Sequence, residues 1–391
     1  MILNEARFVI LFVVTVVAFF LSPVRWRHGV LIASGLLFYA WYASAVLPLI
    51  LGLVLLTYWV SGRVGVWLNV GALVLLMGYF KLRGGVGVLP GIVSAETGAE
   101  GLAFPLGLSF LTFELIHFSI ERQRGRIPRA SLASVAAFAL YFPCRVAGPI
   151  KRYQPFEQSV REARWSIEHL YRGSVRILWG LVKKVMLADV VGLIVPELNW
   201  ASSPLAAWKG IIAYSLYIYW DFSAYSDIAI GLSGILGIRV PENFRAPYLS
   251  RNIREFWSRW HMSLSSWLAD YVFLPLSRQL AVKPWGVQPK TAAVLSYVAT
   301  FTICGLWHGP SLNFVLWGLY HGALLSLYAL YAVSRLSLAQ FGRHNGLARV
   351  IGRVISPAAT FATVTVGWVL FAVPTQRALG LLSLMMAGVY R

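Results

Sequence analysis

Two histidines in the carboxy-terminal half of the chain are the side chains best suited to chemistry. His308 lies at the junction of two apolar stretches, and His321 follows 13 residues later within the second stretch; each precedes a glycine. Histidine exchanges protons near neutral pH and is a common general base. Helix-breaking residues after His308, Gly309 and Pro310, predict irregular backbone, which membranes tolerate only where protein buries it or water reaches it. We therefore predict a site here, and the alternative is that each histidine only packs within its span.

A second group of polar residues interrupts apolar sequence upstream. Tyr214, Tyr217, Asp221 and Tyr225 are spaced to share one helix face, and Asp227 follows two residues later. Carboxylates at membrane depth are costly, so they mark candidate sites. Two roles stay open for the aspartates. They orient an imidazole or bind substrate, or they pair with an arginine and hold helices together.

Residues 252–273 have the periodicity of an amphipathic helix. Large apolar residues recur every three to four positions, and the opposite face carries Arg254, Ser258, His261 and Ser265. Two interpretations stay open. The helix lies on the membrane surface, or it re-enters the membrane and lines a polar cavity.

The composition of the chain is that of an integral membrane protein. The chain has 391 residues, of which 58% are hydrophobic and 13% charged, about half the charged fraction of soluble domains. A water-soluble globule is therefore excluded. Cys144 and Cys304 have neither disulfide nor zinc-ligand spacing, so we predict no metal site.

Membrane spans of about 20 apolar residues are predicted along the whole chain. Because spans pack as one bundle, we predict a single domain over residues 1–391. The candidate spans are 7–22, 30–46, 47–62, 64–82, 101–120, 131–148, 173–196, 207–236, 291–307, 311–334 and 356–373.

The net charge of +19 is distributed between the apolar runs, which favours cytoplasmic loops and lipid headgroups over a nucleic-acid surface. We place Lys183, Lys184 and the cluster that begins at Arg335 at the cytoplasm, in a multi-pass protein of the cytoplasmic (inner) membrane. His308 then lies in the outer part of the membrane. His321 lies near its midplane, roughly 15 Å from the start of its span.

At these positions the sequence resembles the membrane-bound O-acyltransferases. The resemblance is to the bacterial branch that includes the alginate and peptidoglycan O-acetylation proteins and the D-alanine transfer protein of teichoic acid, and it covers most of the chain. The order and spacing of the motifs together are specific. The matching stretches are PLGLSFLTF (105–113), GPIKRY (148–153), KK (183–184), AD (188–189), DFSAYSD (221–227), PENF (241–244), FWSRWHMSLS (256–265), GLWHG (305–309) and WGLYHG (317–322).

The resemblance implies a fold and a set of site residues. The fold is an all-α ring of about ten tilted transmembrane and re-entrant helices around a central tunnel. The family's essential histidine maps onto His308, and His261 corresponds to a second histidine of this branch, so both are expected to be catalytic. Ala372 stands where close relatives commonly have arginine, which leaves the substrate subtype open. Residues expected to bind or orient substrate are Asp221, Asp227, Asn243, Arg254, Ser258, Trp307 and His321.

The expected activity is transfer of an acyl group, acetyl in the first instance, from a cytoplasmic thioester donor across the membrane. The expected acceptor is an extracytoplasmic hydroxyl in the cell envelope or an exopolysaccharide. The donor is acetyl-CoA or an acyl-carrier thioester, and no bound cofactor is expected. Expected partners are membrane lipids and a periplasmic or extracellular hydrolase-like transferase or a carrier protein, without nucleic acid. Two alternatives remain. One is D-alanyl transfer from a carrier protein towards teichoic acid, and the other is a non-catalytic transporter or scaffold of an acylation complex.

Overall fold

A computed structural model describes residues 5–61, 65–83, 105–127, 129–282, 285–333 and 346–387. These residues form helices and connecting turns, and no strand occurs among them. The predicted all-α class is therefore confirmed. The predicted cytoplasmic cluster that begins at Arg335 lies outside the described residues.

Helices that could span a membrane occur in several parts of the chain, which confirms a polytopic protein. Among the described residues, four are long and apolar enough to cross, by length and composition. They are Val66–Arg83, Pro289–His308, Leu312–Tyr331 and Val354–Ala372. Shorter apolar helical stretches, the last two of which each include a neighbouring 3₁₀ turn, are Ala6–Leu21, Ser44–Val60 and Leu132–Cys144.

The chain divides into two compact units. The first contains Met1–Val182 and Ala224–Glu242, and the second contains Lys183–Ser223 and Asn243–Arg391. The long helix Pro204–Ile235 therefore contributes residues to both. The single domain over residues 1–391 stays a prediction.

The first unit is built mostly from helices of 9 to 18 residues. One predicted span is wrong. In place of a continuous helix over 131–148, the helix Leu132–Leu140 has only nine residues and is followed by irregular backbone around Pro143. Proline lacks the donor that a helix requires, so the helix stops short of a full crossing. The helices are Ala6–Leu21, Arg27–Tyr42, Leu47–Val60, Val66–Arg83, Leu108–Gln123, Leu132–Leu140, Tyr153–Glu162 and Ile167–Val182.

A buried ionic cluster holds the irregular segment that follows Leu132–Leu140. The Glu114 carboxylate accepts hydrogen bonds from Arg145 at 2.7 Å and from the Lys151 ammonium at 2.5 Å. The Arg145 and Lys151 side chains are fully buried, and that of Glu114 is 2% exposed. Three aromatic rings pack around the Lys151 ammonium, with centroids 5.0 to 5.9 Å away. The cluster thus ties this segment to the helix Leu108–Gln123.

The second unit contains the longest apolar helices. Two π-helical turns, Lys183–Ala188 and Ala269–Phe273, interrupt its shorter helical stretches; such turns are frequent at functional sites. The helices that follow the first turn are Asp189–Gly192, Pro204–Ile235, Ile253–Arg259, Met262–Leu268, Leu274–Ala281, Pro289–His308, Leu312–Val333, Gly346–Ala372 and Thr375–Ala387.

A tight pair of helices in the second unit positions the two predicted histidines. Pro289–His308 and Leu312–Val333 approach so closely that a Cβ at Gly305 would lie 2.2 Å from the Phe314 carbonyl oxygen. A Cβ at Gly318 would lie 2.2 Å from the Phe301 carbonyl oxygen. Small residues permit such backbone contact between membrane helices. These glycines therefore fix the depth of His308 relative to His321.

Candidate functional site

His308 is the last residue of its helix. Gly309 continues in extended backbone, and its N–H donates to the Gly305 carbonyl at 3.1 Å. The predicted break after His308 is therefore confirmed. The imidazole is half-buried and packs against Trp307 at 4.4 Å and Phe371 at 4.8 Å between ring centroids. It is thus oriented by aromatic rings and still partly accessible.

Trp317 stands between the two histidines of the helix pair. Its ring centroid is 5.2 Å from that of His308 and 5.0 Å from that of His321. His321 is fully buried, and its Nδ1 accepts a hydrogen bond of 3.3 Å from the Trp257 indole. The two histidines therefore belong to one aromatic cluster, and the Trp317 ring separates them.

The segment 252–273 is not one continuous helix, which corrects the prediction. Helices Ile253–Arg259 and Met262–Leu268 are separated at His261, whose backbone is left-handed with φ 42° and ψ 53°. This turn rotates His261 away from the polar face, so its side chain is only 3% exposed. Left-handed backbone costs a non-glycine residue roughly 1–2 kcal/mol, and such strain often marks functional sites.

Asn243 holds the strained turn in place. Its side-chain oxygen accepts hydrogen bonds from the Ser263 hydroxyl at 2.6 Å and the Ser263 N–H at 3.3 Å. Its backbone carbonyl accepts from the Met262 N–H at 2.9 Å. Asn243 thus caps the helix Met262–Leu268, where His261 supplies no side-chain cap. Asn243 therefore contacts the backbone next to His261, and its role in binding or orienting substrate stays a prediction.

Trp307 joins the two histidines that the sequence marks as catalytic. The His261 ring lies 6.3 Å from Trp307 and 4.7 Å from Phe222, between centroids, and Trp307 also contacts His308. The structure therefore brings together His261, Trp307 and His308. Trp307 and His308 are neighbours in sequence, but the proximity of His261 to them was not predictable.

We expect the turn at His261 to tolerate asparagine and to reject valine. Asparagine adopts left-handed backbone readily, whereas a β-branched residue clashes there. His261→Asn should keep a melting temperature close to wild type in detergent, and His261→Val should melt at a clearly lower temperature. Equal melting temperatures for the two variants would contradict the left-handed turn.

Asp221 pairs with a lysine. The Lys184 ammonium lies 2.7 Å from Asp221 and 2.7 Å from Asp189, and its side chain is 17% exposed. Of the two roles left open by the sequence, pairing with a basic residue is the one seen for Asp221, and its partner is Lys184 in place of an arginine. Lys184 was predicted as a basic residue at the cytoplasmic surface, and in the structure its ammonium is paired with two carboxylates. The pair ties the π-helical turn Lys183–Ala188 to the helix Pro204–Ile235.

Asp227 pairs with an arginine outside the segment 252–273. Arg176 donates to Asp227 at 2.9 Å and to Glu242 at 2.5 Å. Arg176 lies between Gly173 and Gly180 on one helix face, and both glycines are buried. Asp227 therefore pairs with an arginine within the first unit, which is one of the two roles that the sequence left open. Glu242 and Arg176 were not among the predicted residues.

Arg254 and Ser258 lie on the exposed face of the helix Ile253–Arg259. The Ser258 hydroxyl donates to the Glu255 carbonyl at 2.7 Å. Both face outward, as the amphipathic pattern predicts, while His261 does not. In the part of the chain that the structure describes, no group of three or more His, Cys, Asp or Glu residues comes together to hold a metal ion.

Several bacterial proteins are similar to this chain over more than half of its length. It is 32% identical over 376 residues to the probable alginate O-acetylase AlgI of Pseudomonas syringae, a match that covers 90% of this chain and 68% of that protein. It is 28% identical over 395 residues to the peptidoglycan O-acetyltransferase of Helicobacter pylori, covering 90% and 71%. It is 34% identical over 232 residues to the teichoic acid D-alanyltransferase of Bacillus subtilis, covering 57% and 58%.

The sequence profile of one family matches the chain from residue 57 to residue 356. This range contains His261, His308 and His321 together with the helix pair that carries the last two. The helical, multi-pass architecture agrees with that match. The chain belongs to the membrane-bound O-acyltransferase family and is a membrane-bound O-acyltransferase.

Proposed function

We propose that this enzyme transfers an acetyl group from a cytoplasmic thioester donor to a hydroxyl of an extracytoplasmic polysaccharide or cell-envelope acceptor. One observation carries the proposal. His308 is half-buried at a helix end, within an aromatic cluster that also brings in Trp307 and His261. A base in such surroundings can take a proton from an alcohol while apolar rings keep water from the donor.

The proposed reaction requires few groups. His308 accepts the proton of the acceptor hydroxyl, and the oxygen forms a bond to the thioester carbonyl carbon. The carbon–sulfur bond then breaks, and the leaving thiolate takes up the proton. His261 is proposed to bind and align a reacting oxygen, and Trp307 to hold both imidazoles in place.

The remaining predicted residues are proposed to act around this centre. The exposed Arg254 and Ser258 would contact a polar part of the donor, since arginine binds phosphate well. Asp221, paired with Lys184, would orient the helix Pro204–Ile235. Asp227, paired with Arg176, would orient the helix Ile167–Val182. Neither aspartate is assigned a chemical step.

Coverage of the relatives favours acetyl transfer. The two O-acetylation proteins match 90% of this chain, whereas the D-alanyltransferase matches 57%. We also propose location in the cytoplasmic (inner) membrane among its lipids. We further propose a protein partner, which is either a carrier protein or a periplasmic or extracellular hydrolase-like transferase. The donor is acetyl-CoA or an acyl-carrier thioester.

The test is a donor comparison on the purified protein in lipid nanodiscs. Radiolabelled acetyl-CoA and a D-alanyl carrier thioester are offered separately, with a soluble oligosaccharide as acceptor. We expect label to move from acetyl-CoA to the oligosaccharide. Transfer from the D-alanyl donor alone would show that D-alanyl, and not acetyl, is the group transferred. If neither donor gives labelled product, the result favours the non-catalytic scaffold of an acylation complex.

A further inference from the structure

The buried imidazole of His321 has a fixed tautomer. Its Nδ1 accepts the hydrogen bond from the Trp257 indole at 3.3 Å, and an indole nitrogen can only donate. Nδ1 therefore carries no hydrogen in the neutral ring, so the hydrogen resides on Nε2. Trp257 is thus a positioning residue that presents Nε2 of His321 as a donor.

This donor has no acceptor within the described part of the protein. Nε2 of His321 is buried and makes no hydrogen bond there, and the same is true of Nε1 of Trp317, whose ring lies 5.0 Å away. A buried donor without an acceptor costs about 1–3 kcal/mol. Two such donors in adjacent rings therefore lower the stability of the folded protein, which is unusual for a cluster whose role is only structural.

The backbone of the helix Gly346–Ala372 packs closely beside Nε2 of His321. Gly367 lies beside it, and a Cβ at that position would stand 2.9 Å from Nε2. Any residue larger than glycine would crowd this nitrogen and the ring of Tyr320. Glycine at position 367 therefore avoids a clash with the imidazole, and it supplies no side-chain acceptor to Nε2.

Position along the helix pair indicates which substrate His321 would meet. His308 lies at the helix end, whereas His321 lies roughly 14 Å along the helix that begins at Leu312. The predicted orientation puts His321 on the cytoplasmic side of His308, the side from which the donor enters. Acyl thioesters of coenzyme A and of carrier proteins share a pantetheine arm with amide groups behind the sulfur.

We propose that His321 Nε2 donates a hydrogen bond to a carbonyl oxygen in the arm of the acyl donor, and that Trp257 holds it in the donating tautomer. Trp317 Nε1 offers a second donor to the same arm. The inference rests on the proposed acyl transfer, and it identifies residues that bind the acyl donor in that reaction. His321 takes no part in proton transfer from the acceptor.

Two substitutions of His321 separate binding from packing. Glutamine places an amide N–H near the position of Nε2, and methionine has a similar size without a donor. We expect His321→Met to raise the KM for acetyl-CoA by about 10-fold, the loss of one buried hydrogen bond, and to leave the KM for the acceptor unchanged. His321→Gln should restore a KM for acetyl-CoA close to wild type.

The measurement is steady-state transfer with each substrate varied in turn, on variants that elute as wild type does from a sizing column. An unchanged donor KM in His321→Met, equal defects in the two variants, or an equal rise in both KM values would overturn the inference. Failure of the proposed function would look different, because the wild type itself would then transfer no acetyl group from acetyl-CoA.

Discussion

Replacing His308 by alanine is expected to lower acyl transfer by about 10²- to 10⁴-fold, the usual contribution of a general base. The protein should still fold, because His308 is the half-buried last residue of its helix and the glycines that pair the two helices remain. His308→Gln should be impaired to a similar extent, since glutamine fills much of the same space but cannot accept the proton. The rate of transfer by purified variants and their elution from a sizing column are the measurements.

A matched control for this experiment is His169→Ala. His169 lies on the exposed surface of the helix Ile167–Val182 in the first unit, so its removal should leave transfer unchanged. Full activity in a folded His308→Gln variant would show that a proton acceptor is not needed at this position. It would also favour the scaffold alternative.

Replacing Glu114 by glutamine is expected to destabilise the protein by about 3–5 kcal/mol, the usual cost of breaking a buried ion pair. The carboxylate is the counter-ion of two fully buried cations, Arg145 and Lys151. Without it the Arg145 guanidinium stays charged and unpaired in the core, and the Lys151 amine loses the partner that stabilises its charged form. The melting temperature in detergent should fall sharply, and the yield of monodisperse protein should fall with it.

Two further variants make this result specific. Glu168→Gln removes an exposed partner of Arg172, and it should leave the melting temperature nearly unchanged, because exposed pairs contribute little. Combining Glu114→Gln with Lys151→Met removes one of the stranded cations and should recover part of the lost stability. A Glu114→Gln variant as stable as Glu168→Gln would refute the role of the cluster.

Local sequence signals predicted several parts of this molecule correctly. The helix break after His308 follows from Gly309 and Pro310, because glycine is a weak helix former and proline lacks a backbone N–H and disfavours helical backbone at the residue before it. The multi-pass helical class follows from composition alone. The order and spacing of the motifs along the chain indicated the family. Each of these signals is present in the sequence itself and needs no knowledge of distant contacts.

Long-range pairing and backbone strain were not predictable in the same way. Apolar spacing continues through Trp260 and Leu264 in helical register, so nothing in the pattern shows the left-handed turn at His261. Glu114 and Lys151 are 37 positions apart, as are Lys184 and Asp221. A carboxylate in an apolar run signals that a partner exists, but many basic residues compete for that role. Only the packing of the helices selects one.

Single-turnover transfer tests the central claim most directly, because it separates the chemical step from donor binding. Wild type and His308→Ala, each in excess over radiolabelled acetyl-CoA, are mixed with acceptor, and labelled product is followed in time. The account predicts that donor binding is equal in the two proteins while the rate of product formation in His308→Ala falls by about 10²-fold or more. A folded His308→Ala protein that forms product at close to the wild-type rate would contradict it.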